Sequence, residues 1–348
     1  MGTLLSYSGL TTKIRAMESQ LITEEQLQEI VQLGSVPQVI AYLKRQPGYA
    51  RLWAGLDENQ THRGELERLL VQSIHQNYTR LYHFSNTKQK RFLAMYFKRY
   101  EISIVKESLV NLFDHRNTVL DLSHFEAFFA RHSKLNLQQM TSAGTLGEFI
   151  RSLEGTEYYT PLHQLYAGGG ENLLVFDYGM ALDQYYFSSI WKGKDKLFSG
   201  RDLKEITAAY GRKFDLINLT WIFRAKKYYH MERSRIYSLL IPMRHRLSTE
   251  ELQALVEAET MDEFSRVLSG TYYAKIYREL APENLEVAYT ELMKSLLSAE
   301  STRHPHSVAV IYSYLYKKEH EVDRLTTAIE CVRYGVPPDE AMAYVLKS

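Results

Sequence analysis

One cysteine, eight prolines and 18 glycines in 348 residues are scarcities that narrow the chain before any motif is sought. Cys331 alone can form neither an intramolecular disulfide nor a cysteine-built zinc cage, so a reducing cytoplasm is the expected compartment. Too few prolines and glycines are present to punctuate the turns of an all-β chain of this length. Long apolar runs are absent as well: no stretch approaches the ~20 residues of a membrane-spanning helix. The opening Met1-Gly2-Thr3-Leu4-Leu5-Ser6-Tyr7 lacks the cationic start and apolar centre of a signal peptide. Neither sign of charge dominates, with 42 basic against 41 acidic side chains and a formal net charge of +1. A dedicated nucleic-acid binder works through a positive field over phosphates, so that class is not expected.

What the chain does contain is helical periodicity. Leu66, Leu69, Leu70, Ile74, Tyr78 and Leu81 fall on one face of a helix. Ile102, Val105, Leu109, Leu112 and Phe113 form a second stripe, Val322, Leu325, Ile329 and Val332 a third. Leu174, Tyr178, Ala181, Leu182, Tyr185 and Ser189 carry the pattern through mid-chain. Thr23-Glu24-Glu25-Gln26 and Ser248-Thr249-Glu250-Glu251 read as helix starts, each with a capping hydroxyl and acids in the first turn. The expected fold is all-α. Its length exceeds the ~100–200 residues typical of one domain, and a chain this size buries roughly 75% of its unfolded surface without a disulfide or metal staple.

The sequence also repeats itself. Leu21 to Leu43 followed by Pro47-Gly48-Tyr49, Leu135 to Leu153 followed by Gly155-Thr156-Glu157-Tyr158-Tyr159, and Leu247 to Leu268 followed by Gly270-Thr271-Tyr272-Tyr273 share one pattern. An amphipathic helix ends near a glycine, and a tyrosine-bearing corner turns back onto it. A second signature follows in each unit: tyrosine at −5, base at −3, acid at 0, aliphatics at +1 and +4. Tyr96, Lys98, Glu101, Ile102 and Val105 match Tyr210, Arg212, Asp215, Leu216 and Leu219, and again Tyr316, Lys318, Glu321, Val322 and Leu325. Positions three apart are neighbours on a helix, so base and acid are expected to pair. Three helical units result, at 1–131, 132–243 and 244–348, jointed at His115–Asp121 and Pro242–His245. The Gly168-Gly169-Gly170 run reads as a loop inside the second.

No catalytic constellation emerges. Gly144-Thr145-Leu146-Gly147 and Gly168–Gly170 lack the lysine of a phosphate-binding loop, and there is no Gly-x-Ser-x-Gly elbow or His-Glu-x-x-His helix. His304-Pro305-His306 has no third ligand near it in sequence and reads as a turn opening a helix. Cys331 lies on an apolar stripe beside Val332 and reads as packing. The 26 tyrosines include four Tyr-Tyr dipeptides, two of them in the repeated corner, which favours a structural reading of those pairs. Basic clusters at Lys88/Lys90/Arg91, Lys192/Lys194/Lys196 and Lys226/Lys227 are expected to be solvated faces that can orient a partner.

The second unit's Ala181-Leu182-Asp183-Gln184-Tyr185-Tyr186, Asp195, Leu197, and Asp215 through Lys226 (DLINLTWIFRAK) resemble the C subunit of the prokaryotic V-type (A-type) ATPases, the counterpart of the eukaryotic d subunit. Pro305, Tyr312, Tyr316-Lys317-Lys318-Glu319 and Glu321-Val322-Asp323-Arg324-Leu325 of the third unit fit the same family. The resemblance spans the chain, though Ser103-Ile104 stands where unit two has Ile217-Asn218, and Arg324 replaces that asparagine in unit three. It implies three similar helical domains in a pseudo-threefold funnel, on the cytoplasmic face of the membrane proteolipid ring. The funnel would receive the D and F subunits of the central shaft, coupling ATP hydrolysis or synthesis to H⁺ or Na⁺ transport. It further implies no catalytic site, cofactor, metal or small-molecule substrate for this chain itself. Lys98, Arg212 and Lys318, at matching places in the repeat, are candidate partner contacts. Arg224 and Lys226 join them, with Glu101, Asp215 and Glu321 as structural ion-pair partners.

Overall fold

A computed structural model describes residues 2–114, 122–169, 173–277 and 280–348. The joint expected at His115–Asp121 and the last glycine of the 168–170 run lie outside the described residues. Among the described residues there are nineteen α-helices and no strand, so the chain is all-α. In order they are α1 (Gly2–Glu18), α2 (Glu24–Val31), α3 (Val36–Lys44), α4 (Ala50–Trp53), α5 (Arg63–Phe84), α6 (Thr87–Phe113), α7 (Ser123–His132), α8 (Leu137–Thr141), α9 (Leu146–Ser152) and α10 (Tyr159–Ala167). They continue as α11 (Val175–Leu197), α12 (Gly200–Lys227), α13 (Arg233–Leu239), α14 (Thr249–Glu257), α15 (Met261–Gly270), α16 (Tyr272–Ile276), α17 (Leu285–Arg303), α18 (Val308–Arg333) and α19 (Pro338–Lys347).

Three of the four apolar stripes are largely buried, on α5, α6 and α18; of the fourth, α11 buries Tyr178 and Leu182, whereas Leu174 precedes the helix and is exposed. Both expected helix starts are capping boxes. Thr23 accepts the Gln26 N–H at 3.2 Å and Gln26 accepts the Thr23 N–H at 2.9 Å. Ser248 and Glu251 do the same at 3.0 and 2.8 Å. Asn136 caps the corresponding helix α8 through the Gln139 N–H at 3.1 Å. Such caps satisfy amides that the first helical turn leaves without partners.

Packing divides the chain into two compact units. One comprises residues 1–90 with 290–348, the other residues 91–289. In the first, α18 is the hub and packs on α1, α2, α3, α5 and α19. Its buried residues include Val308, Ile311, Leu315, Val322, Leu325 and Ile329, together with Lys318 and Glu321, so the helix is covered on several faces. In the second, α11 packs on α10 and α12, and α12 on α13 and α14. Grouping by packing is thus offset from repetition by half a repeat. The early half of the first repeat packs with the late half of the third, and the reason lies in the repeated acids.

Candidate functional site

Each acid of the second signature is buried and grips the tyrosine of the first signature in another repeat. In the first unit, the Tyr49 hydroxyl donates to Glu321 Oε2 at 2.9 Å. In the second, the Tyr158 hydroxyl donates to Glu101 Oε2 at 2.6 Å, and the Tyr273 hydroxyl to Asp215 Oδ2 at 2.8 Å. All three rings are at most 1% exposed. Burial, then the adjacent carboxylate, pushes each phenol pKa far up, so each stays a neutral donor.

Every acid also holds the chain just before a capped helix. Glu321 Oε1 accepts the Ile22 N–H at 2.6 Å, one residue ahead of the α2 cap. Asp215 Oδ2 accepts the Leu247 N–H at 3.2 Å, one residue ahead of the α14 cap, and the Arg246 N–H at 2.6 Å. The His245 N–H adds a bond to Asp215 Oδ1 at 3.1 Å. At Glu101 a hydroxyl intervenes: Ser133 Oγ donates to Oε1 and accepts the Leu135 N–H at 3.0 Å, one residue ahead of the α8 cap. One carboxylate therefore fixes both the entry to a repeat's first helix and the tyrosine of its corner. The joint is a charge-assisted cluster in a dry setting, where each hydrogen bond is stronger than in water and more costly to leave unmade.

The expected pairing of each acid with the base three residues earlier holds for Lys318 and Glu321, at 2.5 Å. Lys318 also reaches the Tyr49 hydroxyl at 2.9 Å and lies over its ring at 4.3 Å. Burial pulls this ammonium below its ordinary pKa, with Glu321 opposing. Lys98 corrects the expectation, because it leaves Glu101 and pairs with Glu157 at 2.7 Å. Glu101 lies in the buried joint, whereas Glu157 is partly exposed and also accepts from the Tyr185 hydroxyl at 2.9 Å. Lys98 still exerts a weak downward pull on Glu101, which burial pushes upward. Arg212 is half-buried and its charge is felt at Tyr273 and His245.

The candidate contacts fall into two kinds. Lys318 is 1% exposed and bonded within the joint, so it faces the core and is set aside as a partner contact. Arg224 is exposed and pairs with Glu286 at 3.0 Å, and half-buried Lys226 donates to the Ala258 carbonyl at 2.8 Å. Of the basic clusters, Lys194 is buried and lies 4.5 Å from the Trp191 ring centroid, so that cluster is not wholly a solvated face.

Two further features support the joints and were not read from the sequence. Asn218, one turn beyond Asp215, clasps Ile241 from both sides: its amide donates to the carbonyl at 3.0 Å and its oxygen accepts the N–H at 2.9 Å. One turn before Asp215, a Cβ on Gly211 would stand 2.6 Å from the His245 Cβ, so only glycine admits this approach. Gly211, Asp215 and Asn218 thus line one face of α12 along the segment 241–247. The tyrosine partners themselves left a signal: Glu101 to Tyr158 is 57 residues and Asp215 to Tyr273 is 58.

A chain of helices alone among the described residues, with buried carboxylates that each hold a distant tyrosine, is an all-α protein. Within that class, the chain belongs to the ATP synthase (C/AC39) subunit family, whose sequence profile matches residues 10–344. It is similar to the C subunit of the A-type ATP synthase of Thermococcus kodakarensis, 23% identical over 97% of this chain and 90% of that protein. The same subunit of Methanocaldococcus jannaschii is 22% identical over 99% of this chain and 87% of its own length. That of Methanosarcina mazei is 24% identical over 92% and 87%.

Proposed function

We propose that the chain is the central-stalk rotor subunit of a rotary ATPase. It seats the D/F shaft and rests on the membrane proteolipid ring at its cytoplasmic face, so that ATP hydrolysis or synthesis is linked to H⁺ or Na⁺ transport. Family membership supports a place in an ATP synthase, and the similar proteins are A-type ATP synthase subunits. No helix among the described residues is long and apolar enough to cross a membrane, which suits attachment through partners.

The observation that carries the mechanical part is the order of the joints. The second repeat's Tyr158 is held by the first repeat's Glu101, and the third repeat's Tyr273 by the second repeat's Asp215. The first repeat's Tyr49 is then held by the third repeat's Glu321. A cyclic order supports the division at 1–131, 132–243 and 244–348, and the pseudo-threefold funnel is what the family resemblance implies for it. A part that passes torque needs stiff connections between its repeats, and buried charge-assisted clusters supply them. In this reading Lys98, Arg212, Arg224 and Lys226 offer their charges to partners, where such groups set orientation and encounter more than affinity. The chain itself holds no cofactor, metal or substrate.

The test is purification of the tagged full chain from detergent-extracted membranes of the source organism. Recovery of the catalytic ATP synthase subunits, a D/F pair and the proteolipid is the expected result. A chain recovered without them refutes the rotor assignment.

A further inference from the structure

The C-terminal end of α12 carries a surface feature that the joints do not explain. Phe176, Met180, Trp221, Tyr229 and Met231 line an apolar slot of about 130 Å³ with Arg224 on its rim. Beside it, sharing Met231, is an open cup of about 580 Å³ lined by Lys226, Lys227 and Arg233, with Glu232 and Glu259 opposing them. Tyr229 is 58% exposed and Phe176 43%, so large apolar groups stand open to water here. The backbone between slot and cup is strained: His230 has φ +46, a region that glycine enters freely and histidine does not. It is held there by the Met231 N–H, which donates to the Ala225 carbonyl at 3.0 Å.

We infer that this slot receives an acidic segment of a partner subunit, which inserts one bulky apolar side chain between Trp221 and Tyr229 and sets carboxylates against Arg224 and Lys227. The inference rests on the proposed function for the partner's being another subunit of the same complex. The slot's volume is that of one large side chain, and its aromatic and methionine lining suits such an anchor. The charges choose the flanks. Arg224 spends its guanidinium on Glu286 at 3.0 Å, but both groups are exposed, and a pair of that kind is readily exchanged for a better-placed carboxylate. Lys227 is exposed on the cup wall, and the basic groups there outnumber the acidic ones. A basic partner would meet repulsion from both sides of Met231. An uncharged one would gain nothing from these charges and would leave Arg224 to its exposed pair with Glu286.

The experiment places a photocrosslinking p-benzoylphenylalanine at position 229 of the full chain, in membranes containing the intact complex. The expected product is one polypeptide partner, attached at a peptide with carboxylates beside the attachment point. Arg224→Glu with Lys227→Glu is expected to lower its yield at least tenfold, and Arg224→Lys with Lys227→Arg to preserve it. Helical circular dichroism of each variant checks that it folds. Cross-linking to lipid, to nucleic acid or to a second copy of the chain, no cross-link from a folded variant, or a yield indifferent to charge reversal overturns the inference. Recovery of the catalytic subunits in the same extract separates the two readings. If they are present without a cross-link, only the slot assignment falls. If they are absent while an acidic partner is captured, the rotor assignment falls and the slot stands.

Discussion

Glu321 and Glu101 occupy the same place in the repeat, and Tyr49 and Tyr158 meet them at the same place in the next. Yet the first carboxylate, in the unit formed by the two ends of the chain, faces the Lys318 ammonium at 2.5 Å. The second, in the middle of the chain, is held among the described residues by the hydroxyls of Tyr158 and Ser133. Asp215 is different again, with three backbone amides and a phenol as donors. The phenol and the carboxylate recur in all three joints, and the remaining donors change from one to another. A hydrogen-bond cluster of this kind requires an acceptor rich in lone pairs, whereas its donors can be a cation, amides or hydroxyls.

Carboxylate-to-amide substitution sharpens that comparison, because it keeps the shape and turns one acceptor into a donor. Glu321→Gln leaves the Lys318 ammonium buried without its carboxylate, and removing one member of a buried pair costs about 3–5 kcal/mol. Asp215→Asn sets an NH₂ group against backbone amides that can only donate, at about 1–3 kcal/mol for the unsatisfied group. Glu101→Gln meets hydroxyls, which can turn and accept. Its effect is expected to stay within about 1 kcal/mol. Urea unfolding with amide exchange read at residues 22, 135 and 246–247 gives the order directly. Equal costs at the three positions would show that the donors do not matter.

Helices, caps and the repeat were legible because they rest on residues a few positions apart. Leu66 to Leu81 announces α5, and Thr23 with Gln26 announces α2, through bonds that span a turn or four. The joints were legible only in halves. The tyrosines read as corners and the acids as salt-bridged helix faces, because what unites Tyr49 with Glu321 spans 272 residues. A base at i−3 is sterically able to pair with an acid, but Lys98 shows that a neighbour on a helix loses to a better-exposed partner. Asn218, which Ile104 and Arg324 replace in the other two units, proved to be an added clasp on Ile241. Two acid-to-tyrosine intervals one residue apart in length, 57 and 58, were in the sequence all along, and they are the trace that long-range pairing leaves when a unit is copied.

Acid should weaken the first unit more than the second. In the first, burial pulls His75 down to about 3, and burial with Arg324 and Lys294 pulls His320 down to about 4. Both stay neutral when folded, while in the unfolded chain they take up a proton near pH 6.5. Their contribution is complete above pH 6.5 and is lost as pH falls toward the folded values. At pH 5 that loss is about 2 kcal/mol per histidine, or about 30-fold in the opening equilibrium. In the second unit, burial raises Glu101, Asp183 and Asp215. A raised carboxyl stabilises the fold as pH drops through its folded value toward 4.5 for Glu101 or 3.8 for the aspartates, with lowered His245 opposing. Exchange measured at pH 7 and pH 5, corrected for its intrinsic pH dependence, is expected to open residues 66–81 and 308–333 well before 205–225. Parallel loss in both units would contradict the assignment of these groups.

The smallest effect is expected at the base that left its joint. Lys98→Met removes a pair whose side chains are 27% and 35% exposed. Such pairs are worth about 0.2–1 kcal/mol and weaken with salt, because water already solvates both charges. Its counterpart Lys318→Met strands Glu321 in a buried joint and belongs with the losses of about 3–5 kcal/mol seen for broken buried pairs. Measured side by side at low and high salt, Lys98→Met should lose what little cost it has at high salt, and Lys318→Met should keep most of its own. A large, salt-insensitive cost at Lys98 would mean that this lysine supports the Glu101 joint after all, and would remove it from the charges offered to a partner.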